Sequence, residues 1–118
     1  MKYAVAIDIG GTNTRVALID EKYKIEKRAQ FSTDADNPEV TLFKIKQAID
    51  SFDKEIVGVG MSCPGPLDLI EGKILTTPNL HGEWHGLCIT KELEKLIHKP
   101  VYLENDANLA ALAEAIIG

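Results

Sequence analysis

Apolar residues recur along this chain at two spacings, and the change between them separates strands from helices. Residues 2–9 and 14–20 are rich in aliphatic and β-branched side chains and are separated by a Gly-Gly pair, which predicts a hairpin. Residues 23–31 alternate more regularly between apolar and polar side chains, as expected of a strand nearer a sheet edge. The first third of the chain therefore predicts a three-stranded meander.

A longer segment with helical spacing begins at Asn37 and Pro38. Asn is a common N-cap, and Pro is tolerated at the first helical position because its missing N–H would have no partner there. The apolar residues that follow have roughly helical spacing, since each lies three or four positions from another; they are Val40, Leu42, Phe43, Ile45, Ile49 and Phe52. This pattern predicts one amphipathic helix packed against the sheet.

The middle of the chain predicts short strands and irregular segments. Residues 55–62 contain the apolar run IVGVG, a buried strand that must end before Pro64. Residues 67–77 carry two apolar segments around Glu71-Gly72, a favourable turn pair, and predict a small hairpin. Residues 78–86 have the composition of a loop.

The last third predicts a helix, a strand and a second helix. Thr90 is the expected N-cap of a helix that stops before Lys99-Pro100, because proline cannot continue it. Residues 101–104 predict a strand, and residues 107–117 an alanine-rich helix. The order βββαβ(ββ)αβα indicates an α/β fold, a mixed sheet of about five strands with helices packed against it.

Composition and charge narrow the possible functions. The chain has 118 residues, 45% apolar and 26% charged, which is typical of one compact globular domain. Its net charge is -5 with scattered lysines and arginines, so we expect no nucleic-acid partner. Neither a signal sequence nor a run of about 20 apolar residues is found, so we expect no membrane partner and a cytoplasmic location.

Several reactive residue types have ordinary interpretations. Cys63 and Cys88 fit neither a redox pair nor a zinc site and are expected to be packed thiols, with a disulfide left open. His81 and His85 lack a third metal ligand. Trp84 lies between them and is expected either to stack near a ligand or to pack over the sheet.

The segment DIGGTNTR, residues 8–15, joins the first two predicted strands. Gly10 and Gly11 allow backbone N–H groups to approach an anion without obstruction, which makes a phosphate loop possible. Three side chains beside them are candidate donors to phosphate oxygens: Thr12, Thr14 and Arg15. Asp8 is a candidate magnesium ligand, acting through water. A plain hairpin turn is the alternative for the Gly-Gly pair alone.

A second polar segment, Asn105-Asp106, falls between the last predicted strand and the last helix. Ligands of open α/β sheets bind in crevices at such strand ends. In isolation, Asp106 is better explained as an N-cap and nothing more. A helix start should lower the pKa of Asp106, but phosphoryl transfer needs a positioned proton acceptor more than a strong base.

Four segments together resemble one known family. They are IDIGGT at residues 7–12, SCPGP at 62–66, TPNL at 77–80 with Trp84, and ENDAN at 104–108 before Ala110-Ala111. With these motifs in this order, almost the whole chain resembles the N-terminal lobe of the sugar kinases in the ROK family, within the actin-like ATPase superfamily. The resemblance implies a ribonuclease H-like sheet, with residues 1–118 as the N-terminal lobe and the C-terminal lobe absent.

The resemblance also implies roles for individual residues. Gly10, Gly11 and Thr12 would face the phosphates of ATP, and Asp8 would assist Mg²⁺. Gly65, Asn79 and Asn105 would contact a hexose. Asp106 would also bind the sugar and would be the catalytic base that deprotonates its hydroxyl, the 6-OH being expected.

The expected function is ATP-dependent phosphorylation of a glucose-like hexose or an N-acyl hexosamine, by a full-length protein that is a homo-oligomer, expected to be a dimer. The alternatives are a non-catalytic sugar-sensing module of the same family and a different actin-like ATPase without a sugar substrate. The family's repressors carry a helix-turn-helix ahead of the glycine loop, whereas seven residues precede Asp8 here, which favours the kinase. The isolated chain is expected to bind both ligands poorly and to be inactive.

Overall fold

A computed structural model describes residues 1–76, 79–105 and 107–118. In chain order its elements are β1 Tyr3–Ile9, β2 Asn13–Asp20, β3 Ile25–Ser32, α1 Pro38–Phe52, β4 Val59–Ser62, β5 Leu67–Asp68, β6 Lys73–Ile74, a 3₁₀ turn Gly82–Trp84, α2 Ile89–Ile97, β7 Val101–Leu103 and α3 Leu109–Ile117. The predicted order of strands and helices is confirmed.

Five strands form one mixed sheet in the order β3-β2-β1-β4-β7, and β5 pairs with β6 in a separate hairpin. The first three strands are antiparallel neighbours, whereas β4 runs parallel to β1, and β7 runs parallel to β4. The register places Asp8 opposite Ser62, and Met61 opposite Leu103. The segments after β1, β4 and β7 therefore leave the sheet at the same edge.

The two faces of the sheet are covered by different helices. Val5, Ile7 and Ile9 alternate along β1 and belong to the larger core, which includes the apolar faces of α1 and α2. Ala6 points to the other face, where it packs in a smaller cluster with Leu112 of α3. Alternating side chains of one strand thus contribute to both cores.

Two glycines of the β4 region allow α3 to lie close to the sheet. A Cβ atom on Gly60 would be 2.5 Å from the backbone oxygen of Leu112, and one on Gly58 would be 3.0 Å from Ile116. The helix therefore runs opposite to β4, and its first residues lie at the edge where β4 ends. This direction brings Asn108, the N-cap of α3, to the same edge as the glycine loop.

One predicted helix start is wrong. Thr90 lies inside α2, which begins at Ile89 after Cys88. Its side chain is buried and its hydroxyl donates to the carbonyl oxygen of Gly72 at 3.1 Å. The Thr90 hydroxyl therefore bonds to the turn between β5 and β6 and does not cap the helix, although its local preference predicts a cap.

Other boundaries differ from the predictions by a few residues. β3 begins at Ile25 because Tyr23 has φ 63° and belongs to the preceding turn, and β4 begins at Val59 rather than at residue 55. Asn37 does occupy the N-cap position of α1, but its side chain makes no capping hydrogen bond. No helix among the described parts of the chain is long and apolar enough to cross a bilayer.

Candidate active site

The loop between β1 and β2 is a tight turn around the two glycines. The Gly10 N–H donates to the Asn13 carbonyl oxygen at 2.8 Å, and a Cβ on Gly10 would be 2.9 Å from that same oxygen. The N–H groups of Gly11 and Thr12 donate to no acceptor among the described residues. Two backbone donors at the edge of the sheet are therefore available to an anion. Phosphate binding by this loop stays a prediction.

The predicted phosphate donor Thr14 has a different position. Its side chain is buried, and its hydroxyl lies 2.7 Å from the hydroxyl of Thr33, which follows β3. The Thr33 hydroxyl donates in turn to the carbonyl oxygen of Gly10 at 2.7 Å. Because each hydroxyl has one proton, Thr14 must be the donor to Thr33. The burial of Thr14 favours a supporting role beneath the loop over direct phosphate contact.

Sequence reasoning missed Thr33. Besides its hydroxyl contacts, its backbone N–H donates to the carbonyl oxygen of Thr12 at 2.8 Å. The signal for Thr33 in the sequence was weak. It consisted of a hydroxyl residue directly after β3, the strand that pairs with the end of the glycine loop. The pairing of Asn13 with Ser32 brings Thr33 beside the loop, and this register is not readable from spacing alone.

Asp8 and Arg15 are directly opposite each other on β1 and β2 and form an ion pair of 2.5 Å. Their side chains are 20% and 50% exposed. Asp8 therefore lies at the start of the glycine loop with its charge partly shielded, and Arg15 faces Asp8 in this structure. The phosphate contact of Arg15 and the magnesium role of Asp8 stay predictions, for two side chains that pair at the base of the loop.

The charge of Asp8 also affects its neighbour Cys63. Burial, and secondarily the negative charge of Asp8, raise the pKa of the Cys63 thiol from 9.0 to about 12. The thiol is therefore protonated at neutral pH and is a poor nucleophile. Cys63 and Cys88 are both free, as expected of packed thiols.

Asn79 lies against the glycine loop. A Cβ atom on Gly11 would be only 2.7 Å from the Cβ of Asn79, a distance that real side chains do not tolerate. The residue predicted to contact a sugar is therefore in contact with the residue predicted to face a phosphate.

The segment after Asn79 is fixed by the connection between β3 and α1. The His81 N–H donates to the Ala35 carbonyl oxygen at 2.8 Å, and the indole N–H of Trp84 donates to the Asp34 carbonyl oxygen at 3.0 Å. Trp84 is completely buried in the larger core. Of the two interpretations of this tryptophan, packing over the sheet is the one that the structure shows.

Gly65 and Asn105, the other predicted sugar contacts, follow β4 and β7 and are exposed. The Glu104 N–H donates to the Met61 carbonyl oxygen at 2.8 Å, which extends the β4–β7 pairing up to the residue before Asn105. Asp106, the predicted base, lies outside the described residues, as do Thr77 and Pro78. The N-cap of α3 is Asn108, whose side chain accepts from the N–H groups of Ala110 and Ala111.

The described residues do not form a metal cage. Among them, no three His, Cys, Asp or Glu side chains gather as potential ligands. Magnesium at phosphate sites is commonly held by one or two carboxylates together with phosphate oxygens and water. A single carboxylate, Asp8, beside an anion loop fits this kind of site.

Comparisons with known proteins agree with this geometry. The family model described as "ROK family" matches residues 4–118. The chain belongs to the ROK family. It is 36% identical to a glucokinase of Thermotoga maritima over 117 residues, which are 97% of the chain and 37% of that protein. It is also 27% identical to the xylose repressor of Bacillus subtilis over 98% of the chain and 31% of the repressor.

Solved ROK structures have the same fold. A ROK family glucokinase from Streptomyces griseus, in complex with glucose and AMPPNP, has a TM-score of 0.80 and 28% identity over 98% of the chain and 37% of the glucokinase. The ROK hexokinase of Thermus thermophilus has a TM-score of 0.77 and 29% identity over 90% of the chain and 36% of the hexokinase. The α/β fold is thus the actin-like ATPase fold of ROK kinases. The chain spans little more than a third of the length of these relatives.

Proposed function

We propose that this chain is the N-terminal lobe of a two-lobe sugar kinase, which transfers the γ-phosphate of ATP to a hydroxyl of a glucose-like hexose. The observation that carries the proposal is the contact between Gly11 and Asn79. A phosphate group on the free N–H donors of the loop and a sugar on Asn79 would be neighbours, as transfer from one to the other requires.

The glycine loop fits the phosphates of a nucleotide. The N–H groups of Gly11 and Thr12 would bind phosphate oxygens, and the absence of a side chain at Gly11 would let them approach closely. Asp8 would hold Mg²⁺ through water, and the ion would neutralise charge on the transferred group. AMPPNP in the glucokinase of Streptomyces griseus supports a nucleotide as the ligand.

The hexose would bind along the edge formed by the ends of the parallel strands. Gly65, Asn79 and Asn105 would contact it. Gly65 and Asn105 follow β4 and β7 at this edge, and Asn79 meets Gly11 in the loop that follows β1. Asp106 directly follows Asn105 in the chain and would accept the proton of the attacking hydroxyl, which we propose to be the 6-OH. Orientation of the hydroxyl and neutralisation of phosphate charge would supply most of the rate enhancement.

The remaining contacts to ATP and sugar would come from a second lobe, in a full-length protein that we expect to be a homo-oligomer. The chain covers 37% of the Thermotoga maritima glucokinase, so most of a closed cleft would lie outside it. The isolated lobe should therefore bind either ligand weakly and turn over neither.

A sugar-responsive regulator is the second candidate function. The similarity to the xylose repressor of Bacillus subtilis supports it, because that protein matches almost the whole chain. Two features favour the kinase: the higher identity to a glucokinase, 36% against 27%, and the acidic residue at position 106.

The deciding experiment extends the chain to the length of its relatives and measures ATP consumption with a panel of hexoses and N-acyl hexosamines. We expect turnover with a glucose-like sugar and a loss of about 10²- to 10⁴-fold in Asp106→Asn, the usual range for a general base. Asp53→Asn is the matched control, because Asp53 is exposed and has φ 54°, a conformation that Asn tolerates. Sugar binding without ATP turnover would favour the regulator, and full activity in Asp106→Asn would remove Asp106 as the base.

A further inference from the structure

We propose that Thr33 is a positioning residue that holds the phosphate loop, and that the β3–α1 connection, residues 33–37, links this loop to the sugar-contacting segment that begins at Asn79. The inference rests on the proposed kinase function. It assigns a task to a residue in none of the four motifs that the sequence suggested.

Thr33 holds the loop on both sides of Gly11. Its hydroxyl donates to the carbonyl oxygen of Gly10, and its N–H donates to the carbonyl oxygen of Thr12. The peptide units Gly10–Gly11 and Thr12–Asn13 are therefore fixed through their oxygens. Because a peptide unit is planar, fixing its oxygen also sets the direction of its N–H. The Gly10 and Thr12 oxygens thus control the N–H groups of Gly11 and of Asn13, while Gly11 itself carries no side chain that could do so.

The same connection holds the other half of the site. The carbonyl oxygen of Asp34 accepts the indole N–H of Trp84, and that of Ala35 accepts the N–H of His81. These two bonds fix the segment in which Asn79 lies. Three consecutive residues, 33–35, therefore bind the phosphate loop on one side and the sugar segment on the other.

The connection itself is held rigidly at the start of α1. The Asp34 N–H donates to the hydroxyl of Thr41, which is completely buried, at 2.9 Å. The Asp34 carboxylate accepts the N–H groups of Asp36 and Asn37 at 3.0 and 2.9 Å. Because these bonds restrain the connection, a displacement of one end should also displace the other end. Small displacements matter here, because a shift of about 1 Å in reacting groups can lower a rate by about 10².

The test uses the chain extended to its relatives' length and the isosteric substitution Thr33→Val, which removes the hydroxyl but keeps the shape. We expect the KM for ATP to rise and kcat to fall, each by about 10-fold, with the KM for hexose changed less than about 2-fold. Thr33→Ser should restore at least half of the wild-type kcat/KM for ATP. Thr90→Val is the matched control, since it removes a buried hydroxyl that bonds to Gly72 and not to the loop.

Trp84→Phe tests the other side of the connection. It removes the bond to the Asp34 carbonyl oxygen but keeps an aromatic side chain in the core. We expect the KM for hexose to rise about 5-fold or more and the KM for ATP to change less than about 2-fold. The opposite pattern, or equal changes in both constants, would overturn the assignment of this bond to the sugar segment.

A structural measurement on the 118-residue chain separates failure of this inference from failure of the kinase function. In Thr33→Val, the backbone order parameter of Gly11 should fall from about 0.85 to below about 0.6, whereas Thr33→Ser and Thr90→Val should keep it high. If the extended wild-type protein lacks sugar-dependent turnover, the kinase proposal fails, and these order parameters still decide the positioning role. Unchanged order parameters, or unchanged constants in an active Thr33→Val enzyme, would overturn it.

Discussion

Gly11 and Asn79 are in contact, and the contact is possible only because Gly11 has no side chain. A Cβ on Gly11 would be 2.7 Å from the Cβ of Asn79. Besides the role predicted for it at an anion site, the glycine lets two segments that are distant in the chain meet at the edge of the sheet.

The first prediction concerns this contact. Gly11→Ala should lower the free energy of unfolding by about 1 to 3 kcal/mol, because the added methyl group overlaps Asn79 and one segment must move. Urea denaturation of the 118-residue chain measures this cost.

The control is a double-mutant cycle with Asn79→Gly, which removes the Cβ that the new methyl group would meet. In that background Gly11→Ala should cost at least about 1 kcal/mol less than in the wild type, as expected for two residues in direct contact. Additive costs would mean that the two segments do not touch in solution.

The second prediction compares two asparagines at helix starts. Asn108→Ala should lower the free energy of unfolding by about 1 kcal/mol, because the Asn108 side chain accepts two N–H groups of α3. Asn37→Ala should cost less than about 0.5 kcal/mol, since Asn37 occupies the same position in α1 without a side-chain capping bond. Equal costs for the two substitutions in urea denaturation would contradict this difference.

The third prediction concerns the reactivity of the two thiols. A pKa near 12 leaves roughly one Cys63 thiol in 10⁴ ionised at pH 8, and its burial also blocks access. A disulfide reagent at pH 8 should therefore modify Cys88 of the native chain at least about 100-fold faster than Cys63. Cys88→Ser should abolish the fast reaction, and a fast reaction that survives this substitution would contradict the assignment.

The same raised pKa predicts how stability depends on pH. The unfolded thiol ionises above pH 9.0, whereas the folded Cys63 thiol stays protonated up to about pH 12. Its stabilising contribution is therefore complete below pH 9 and is lost as the pH rises from 9 to 12. Between pH 9 and 10.5, the free energy of unfolding should fall up to about 1.4 kcal/mol per pH unit more steeply in the wild type than in Cys63→Ala. Parallel curves would exclude this linkage.

The fourth prediction concerns the ion pair at the start of the glycine loop. Arg15→Gln should lower the free energy of unfolding by up to about 1 kcal/mol, and by less at high salt. Lys99→Gln, which breaks the pair with Glu55, should cost less, because Glu55 is 86% exposed whereas Asp8 is 20% exposed. Urea denaturation at low and high salt measures both, and a larger cost for Lys99→Gln would be the contrary result.

Most of the fold was predictable because the signals are local. The spacing of apolar residues distinguishes β1 and β2 from α1, and Pro38 and Pro100 mark where helices begin or cannot continue. The wrong helix start shows how a tertiary partner overrides a local preference. Thr90 is a good N-cap by its chemistry, yet its hydroxyl bonds to Gly72 across the fold.

The sequence by itself determined the order of the elements, the small residues of the glycine loop and the resemblance to ROK sugar kinases, since each depends on residue types and short spacings. Only the tertiary structure decided that Asn79 meets Gly11, that Thr14 is buried beneath the loop, and that Thr33 holds it. These contacts depend on the register of three paired strands and on the path of the β3–α1 connection. Both are set by packing among residues far apart in the chain, so no local pattern contains them.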